Sequence, residues 1–220
     1  MRFAGFPDEA FEFYEGLQAD NSKAYWTDHK AIWETCIRDP MNALVDELQP
    51  EIGGDVKVFR PYRDVRFAAD KSPYKTNQGA MINDAKGESG LYVHIDADGL
   101  LVATGYYQTA SDQVERYRAA VLDDTTGPRL VDIVDGLRGD GYLIEGDRMK
   151  TRPRGVPEDH PRVDLLRHRS LTAHRMWEPA AWMHTRRTLN RIRQAWERMA
   201  PLNEWLTNNV GASRQPQPNR

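Results

Sequence analysis

Arg60, Tyr62, Asp64 and Arg66 occupy every second position of the run Arg60-Pro61-Tyr62-Arg63-Asp64-Val65-Arg66-Phe67. Alternate side chains of an extended strand share a face. The spacing therefore predicts one polar row of these four residues. The opposite row, Phe59, Pro61, Arg63, Val65 and Phe67, is mostly apolar and suits a core. Guanidinium forks bind carboxylate or phosphate through two parallel hydrogen bonds. The polar row thus reads as a grip for an anion, with Asp64 positioning the arginines. The competing reading is an internal salt-bridge lattice, with Asp64 held between Arg60 and Arg66. Asp70-Lys71-Ser72-Pro73-Tyr74-Lys75 follows directly and would add Lys71 and Lys75 to Arg60, Arg63 and Arg66. Tyr62, Tyr74 or His94 would orient the ligand. Ser72 and Lys75 also match Ser-x-x-Lys, an acyl-enzyme motif that needs its serine at a helix start. No Ser-Asp-Asn or Lys-Thr-Gly element accompanies it, so Ser72 is not read as a nucleophile.

Two histidines are acid–base candidates, because an unperturbed imidazole titrates near pH 6.5. His94 sits in Leu91-Tyr92-Val93-His94-Ile95, which Asp98-Gly99 separates from Leu100-Leu101-Val102-Ala103-Thr104. Asp-Gly favours a two-residue hairpin turn. That turn would pair Ile95 with Val102, Val93 with Thr104 and Leu91 with Tyr106 on a core face. His94 and Tyr92 would then lie beside Ala103 and Gly105, leaving room for a ligand or a helix. His160 belongs to a basic segment, Met149 to Arg175, that includes the rigid turn Arg152-Pro153-Arg154-Gly155. Arg152 and Arg154 are further candidates to hold an anion. His94-x-Asp96-x-Asp98-Gly99 superficially resembles a calcium loop but begins with histidine and has Gly105 where glutamate is needed. Neither His-x-x-x-His nor His-Glu-x-x-His occurs, and there is no P-loop or Gly-x-Gly-x-x-Gly. No metal and no cofactor are implied.

These residues must be placed by helices and a sheet. Ala10, Phe11, Tyr14 and Leu17 share one helical face after Phe6-Pro7-Asp8-Glu9. A second helical region spans residues 21–49, kinked or split at Pro40 and ended by Gly53-Gly54. A strand is expected from Lys57 to Phe67, another at Ala80-Met81-Ile82, and then the hairpin. Helices are expected at 112–122, capped by Asp112 and Glu115, and at 128–137. Residues 142–150 read as a short hairpin and Val163–His168 as a short helix. A long helix should start near Pro179 and turn Trp182, Leu189, Ile192, Trp196 and Met199 inward, with Pro201 interrupting it. Strands cluster between helical regions instead of alternating with them. That predicts α+β, with a mostly antiparallel central sheet packed by N-terminal and C-terminal helices. One domain over 1–210 is expected, with a disordered tail at 211–220.

The 220 residues carry a net charge of −3, but in opposing blocks. Residues 1–55 and 76–147 are acidic; residues 56–75 and 148–198 are basic. Either the blocks face one another, or the basic ones share an anion-attracting surface. A pI near 6.1 argues against a dedicated nucleic-acid binder. No run reaches the roughly 20 apolar residues of a membrane span. Acids occupy the place of a signal peptide's apolar run, and Cys36 is the single cysteine. A soluble cytoplasmic protein is expected.

The string from Lys57 through Arg60-Pro61-Tyr62-Arg63-Asp64-Val65-Arg66-Phe67 to Asp70-Lys71-Ser72-Pro73-Tyr74-Lys75-Thr76 resembles the signature of the family catalogued as domain of unknown function 2461. Asn21…Tyr25-Trp26, Gly90-Leu91-Tyr92-Val93-His94-Ile95, and Arg152-Pro153-Arg154-Gly155…Asp159-His160-Pro161 join the resemblance, which covers residues 3–178. The helix expected at 179–206 lies outside it. Arg169-Ser170-Leu171-Thr172 departs from the Lys-Ser-Phe-Thr-like run the family often has. The resemblance implies a polar site but no particular reaction. Taken together, the leading expectation is an Arg/Lys-lined pocket for an anionic small molecule, phosphorylated or carboxylated. The alternative is an interaction module whose basic C-terminal half meets an acidic partner or nucleic acid. These features leave the oligomeric state open.

Overall fold

The computed structural model describes residues 2–83 and 90–215. Its elements are α1 (Asp8–Ala19), α2 (Lys23–Ile32), α3 (Asp39–Ile52), β1 (Val56–Val58), β2 (Asn77–Asn83), β3 (Gly90–Asp96), β4 (Gly99–Tyr106), α4 (Ser111–Leu122), α5 (Thr126–Gly139), β5 (Leu143–Glu145), α6 (Val163–Leu166), β6 (Leu171–Trp177) and α7 (Arg187–Asn209). The strands form one antiparallel sheet in the order β1-β2-β3-β4-β6-β5. The fold is α+β, as the clustering of strands predicts. By its contacts the chain divides into two compact units, where the sequence reads as one domain.

The first unit holds residues 1–87, 91–102 and 176–195. Ala10, Phe11, Tyr14 and Leu17 of α1 are buried, as their spacing requires. Ser22 caps α2 by accepting from the Tyr25 N–H at 3.1 Å. Between α2 and α3 runs a π-helical turn, Trp33–Arg38. Pro40 explains it, since proline offers no N–H and crowds the carbonyl one turn back. The helix widens to an i→i+5 register upstream and continues, ending at Gly53 with φ +81°. Leu91, Val93 and Ile95 of β3 and Leu100 and Val102 of β4 alternate into the core.

Three expectations in this unit need correction. The strand expected from Lys57 to Phe67 ends at Val58, and Phe67 is 97% exposed. Pro61 cannot serve a ladder on its N side, and the carboxylates of Asp64 and Asp70 capture nearby backbone N–H groups instead. The hairpin turn is Ala97-Asp98, one residue earlier than expected, because Asp96 Oδ1 accepts from the N–H groups of Asp98 and Gly99. The C-terminal helix begins at Arg187, after a 3₁₀ turn at Ala181–His184.

The second unit holds residues 88–90, 103–175 and 196–220. Tyr117, Val121, Leu130, Val134 and Leu137 bury the inner faces of α4 and α5. The cap of α4 is Ala110, whose N–H donates to Gln113 Oε1 at 2.9 Å; Asp112 instead accepts from Arg116, Ser213 and the Arg214 N–H. β5 pairs with β6, setting Glu145 opposite Thr172, so the local hairpin expected at 142–150 does not form. Pro201 lies inside α7 without ending it. One missing N–H costs less than exposing Leu202, Trp205 and Leu206, all buried just beyond it. Within the stretch expected as a disordered tail, Gly211 and Ala212 accept hydrogen bonds from Gln113 and Arg116.

Candidate functional site

The segment after β1 folds back on itself as a compact loop. Arg63 N–H donates to the Pro73 carbonyl at 2.9 Å and Lys75 N–H to that of Pro61 at 2.7 Å, so Tyr62 and Tyr74 face one another. The loop is pinned from outside. Asn21 accepts from the Tyr74 N–H at 3.0 Å and donates to its carbonyl at 3.1 Å. The Tyr74 ring stacks on Trp26.

Pinning sorts the basic residues into two groups. Arg66 binds Asp64 through Nε at 2.9 Å and Nη2 at 2.6 Å. Arg63 pairs with Asp70, and Lys71 Nζ donates to the Val65 carbonyl at 2.9 Å. The bond to Arg66, helped by its backbone N–H, holds the Asp64 carboxyl down at about 2; Ser72, ahead of Arg63, does the same for Asp70. Ser72 Oγ donates to Asp70 Oδ1 at 2.6 Å, and no helix starts there. Arg63, Arg66 and Lys71 are thus committed to the loop's own structure.

Arg60 and Lys75 are not. The ammonium groups of Lys57 and Lys75 each lie 5.3 Å from the centre of the Phe59 ring. Burial pushes the Lys75 ammonium down, and the charges of Arg60 and Lys57 push it further. Among the described residues no carboxylate lies within ion-pair distance of Lys57, Arg60 or Lys75. A cation is attracted to an aromatic face, so Phe59 lets two ammonium groups approach each other. Lys57 carries the signal that sequence spacing missed. It faces Met81 across β1 and β2, on the sheet face opposite Ala80 and Ile82.

The neighbouring strand brings a phenol, an imidazole and a carboxylate together. The Phe59 and Tyr92 rings are 6.1 Å apart, and the Tyr92 hydroxyl covers Gly79 so closely that a Cβ there would be 2.7 Å from it. That hydroxyl is 3.1 Å from His94 Nδ1, while His94 Nε2 is 3.3 Å from Asp96 Oδ2. The phenol and Nδ1 share a hydrogen bond whose direction follows the ring tautomer. Asp96 is itself fixed by the two turn N–H groups on its other oxygen. A phenol, an imidazole and a carboxylate thus stand in a row, side chains of the kind that serve as general acids and bases.

His94 and the 60–75 loop belong to the first unit; His160, Arg152 and Arg154 belong to the second. His160 Nδ1 accepts from the Arg162 N–H at 3.1 Å, and Arg152 Nε donates to the Val156 carbonyl at 2.8 Å. Both shape the turns they sit in. Arg154 is exposed. Several arginines of the basic C-terminal block meet acids of the other blocks. Arg186 forks onto Glu47 and Arg193 onto Glu51 in the first unit. Arg169 meets Asp147 and Arg198 meets Asp140 in the second.

No helix among the described residues is long and apolar enough to cross a membrane. None of the curated proteins matches the chain. The sequence profile of the family described as "Conserved hypothetical protein (DUF2461)" matches residues 9–205, which extends the resemblance through most of α7. The chain, whose polar loop and Tyr92–His94 strand lie within the matched residues, belongs to the DUF2461 family.

Proposed function

We propose that this protein binds a small anion, phosphorylated or carboxylated, on Lys57, Arg60 and Lys75 around the Phe59 ring. The observation that carries the reading is the crowding of these cations with no matching carboxylate among the described residues, which leaves their charge to be answered by a ligand. An incoming anion relieves the repulsion that lowers Lys75, so binding favours its charged form. Tyr92, kept in place by His94 and Asp96, lies beside the same ring and offers an acid–base group to whatever is bound. The alternative reading, a basic surface for an acidic partner, has less support, because Arg186, Arg193, Arg169 and Arg198 already meet carboxylates.

The test is a thermal-shift screen against phosphate, pyrophosphate, sugar phosphates, nucleotides and di- and tricarboxylates. A ligand at about 100 times its Kd stabilises by roughly 2.7 kcal/mol. Lys75→Ala and Arg60→Ala should each remove the shift while the unliganded protein melts as before. No shift with any anion, or an undiminished shift in both variants, would sink the proposal.

A further inference from the structure

A cleft lies wholly in the second unit and contains none of the candidate residues above. It is an open cleft of about 1000 Å³. Its floor is the β5–β6 ladder and the turn that leaves it. Gly146 has φ +134°, and a Cβ there would come within 2.2 Å of the Ser170 carbonyl carbon–oxygen group. The Asp147 N–H donates to Ser170 Oγ at 2.7 Å, and the Arg169 N–H returns to the Asp147 carbonyl at 2.7 Å. Arg169 Nη2 adds a bond to Asp147 Oδ1 at 2.8 Å. The floor is therefore set before any ligand arrives, which lowers the ordering cost of binding.

The wall is α4, and it presents unmet hydrogen-bonding capacity. Among the described residues Arg118 Nε is buried without a partner, and its Nη2 meets only the Met149 thioether sulfur at 2.9 Å, a weak acceptor. Glu115, three residues before it, makes no ion pair or hydrogen bond among the described residues. Tyr107 stands on the lining at 80% exposure. An uncovered large aromatic beside interspersed acceptors and donors defines a particular kind of ligand.

We propose that this cleft binds a neutral polyhydroxylated ligand, a mono- or oligosaccharide. Glu115, Glu145 and Asp147 outnumber Arg118 and Arg169, and Arg169 is held by Asp147, so an anion is disfavoured. An apolar ligand would strand the charged groups. A sugar hydroxyl donates one hydrogen bond and accepts others, and so can answer Glu115 and Arg118 together. The C–H face of a sugar ring suits the exposed Tyr107 ring. The inference is independent of the anion site, whose residues lie in the other unit.

The experiment is two-dimensional amide NMR of the full chain, titrated with glucose, myo-inositol, cellotriose, maltotriose and chitotriose, and with the dipeptide glycyl-glutamate and phosphate as controls. A saccharide should move the amide signals of Gly146, Ser170 and Thr172. Its affinity should fall about tenfold in Tyr107→Ala and in Glu115→Gln, the loss expected for one unmet contact. Lys75→Ala should leave it unchanged. Three results overturn the inference: no saccharide moves these signals; the response persists undiminished in both variants; or the dipeptide or phosphate, and no sugar, moves them.

Discussion

Tyr74 lies flat on Trp26, with ring centroids 4.4 Å apart and planes 8° from parallel. This stack joins the polar loop to α2 and so sets where Lys75 stands. Trp26 is 5% exposed and also touches Phe13, Trp33 and Tyr62. Trp26→Ala should cost about 3–5 kcal/mol in urea unfolding, in the range of buried Trp truncations. Trp26→Phe should keep most of the stability and the anion response. A Trp26→Ala protein as stable as the parent would show that the stack does not anchor the loop.

Committed and uncommitted arginines should behave oppositely. Arg66→Ala and Arg63→Ala remove exposed loop pairs with Asp64 and Asp70. Exposed pairs contribute only about 0–1 kcal/mol. Both variants should fold and keep the thermal shift that Lys75→Ala loses. Loss of the shift in Arg66→Ala alone would return the ligand to the arginine row.

Acid stability should depend on Glu47. The Arg186 fork, and then the Phe3 N–H, hold its carboxyl down from 4.5 to about 2. A depressed carboxylate contributes stability above its unfolded pKa and loses it as pH falls through the folded one. The window therefore runs from about pH 4.5 down to about 2. In Glu47→Gln the fall of Tm across this window should be shallower than in the parent. Parallel curves would show that the fork carries no pH-dependent stability.

His168 should remain neutral below the ordinary imidazole range. Burial pushes its pKa down from 6.5, and Arg148 and Arg138 push the same way, against the Ser170 carbonyl and Asp164. A lowered folded pKa means stability that is complete above pH 6.5 and declines as pH falls below it. Its ring protons, followed by NMR, should shift only at pH below 6.5. A midpoint at or above 6.5 would contradict this.

Gly99→Ala should be among the most damaging single-methyl changes. Gly99 has φ +124°, and a Cβ would lie 2.0 Å from the Trp177 carbonyl oxygen. Positive φ and a backbone clash together should cost at least about 2 kcal/mol. A variant within about 0.5 kcal/mol of the parent, the usual surface range, would show that this contact relaxes freely.

Local chemistry alone determined the amphipathic helices and the β3–β4 core face. Apolar side chains at helical or alternate spacing must go inward, and Ala10, Phe11, Tyr14, Leu17, Leu91, Val93 and Ile95 did. The polar loop was legible as a special segment, but its shape was not. Strand alternation assumes an extended backbone, whereas Pro61, Asp64 and Asp70 bend it by their own hydrogen-bonding rules. Whether Arg66 or Lys75 stays available for a ligand depends on which acceptors the folded loop brings near, and spacing carries no such distance. β6 was invisible for a related reason. Thr172-Ala173-His174-Arg175 has little apolar signal of its own and becomes a strand by pairing with Leu143–Glu145. Only that pairing builds the polar cleft above Gly146. The sequence named the groups that can do chemistry; tertiary contacts decided which of them are already satisfied.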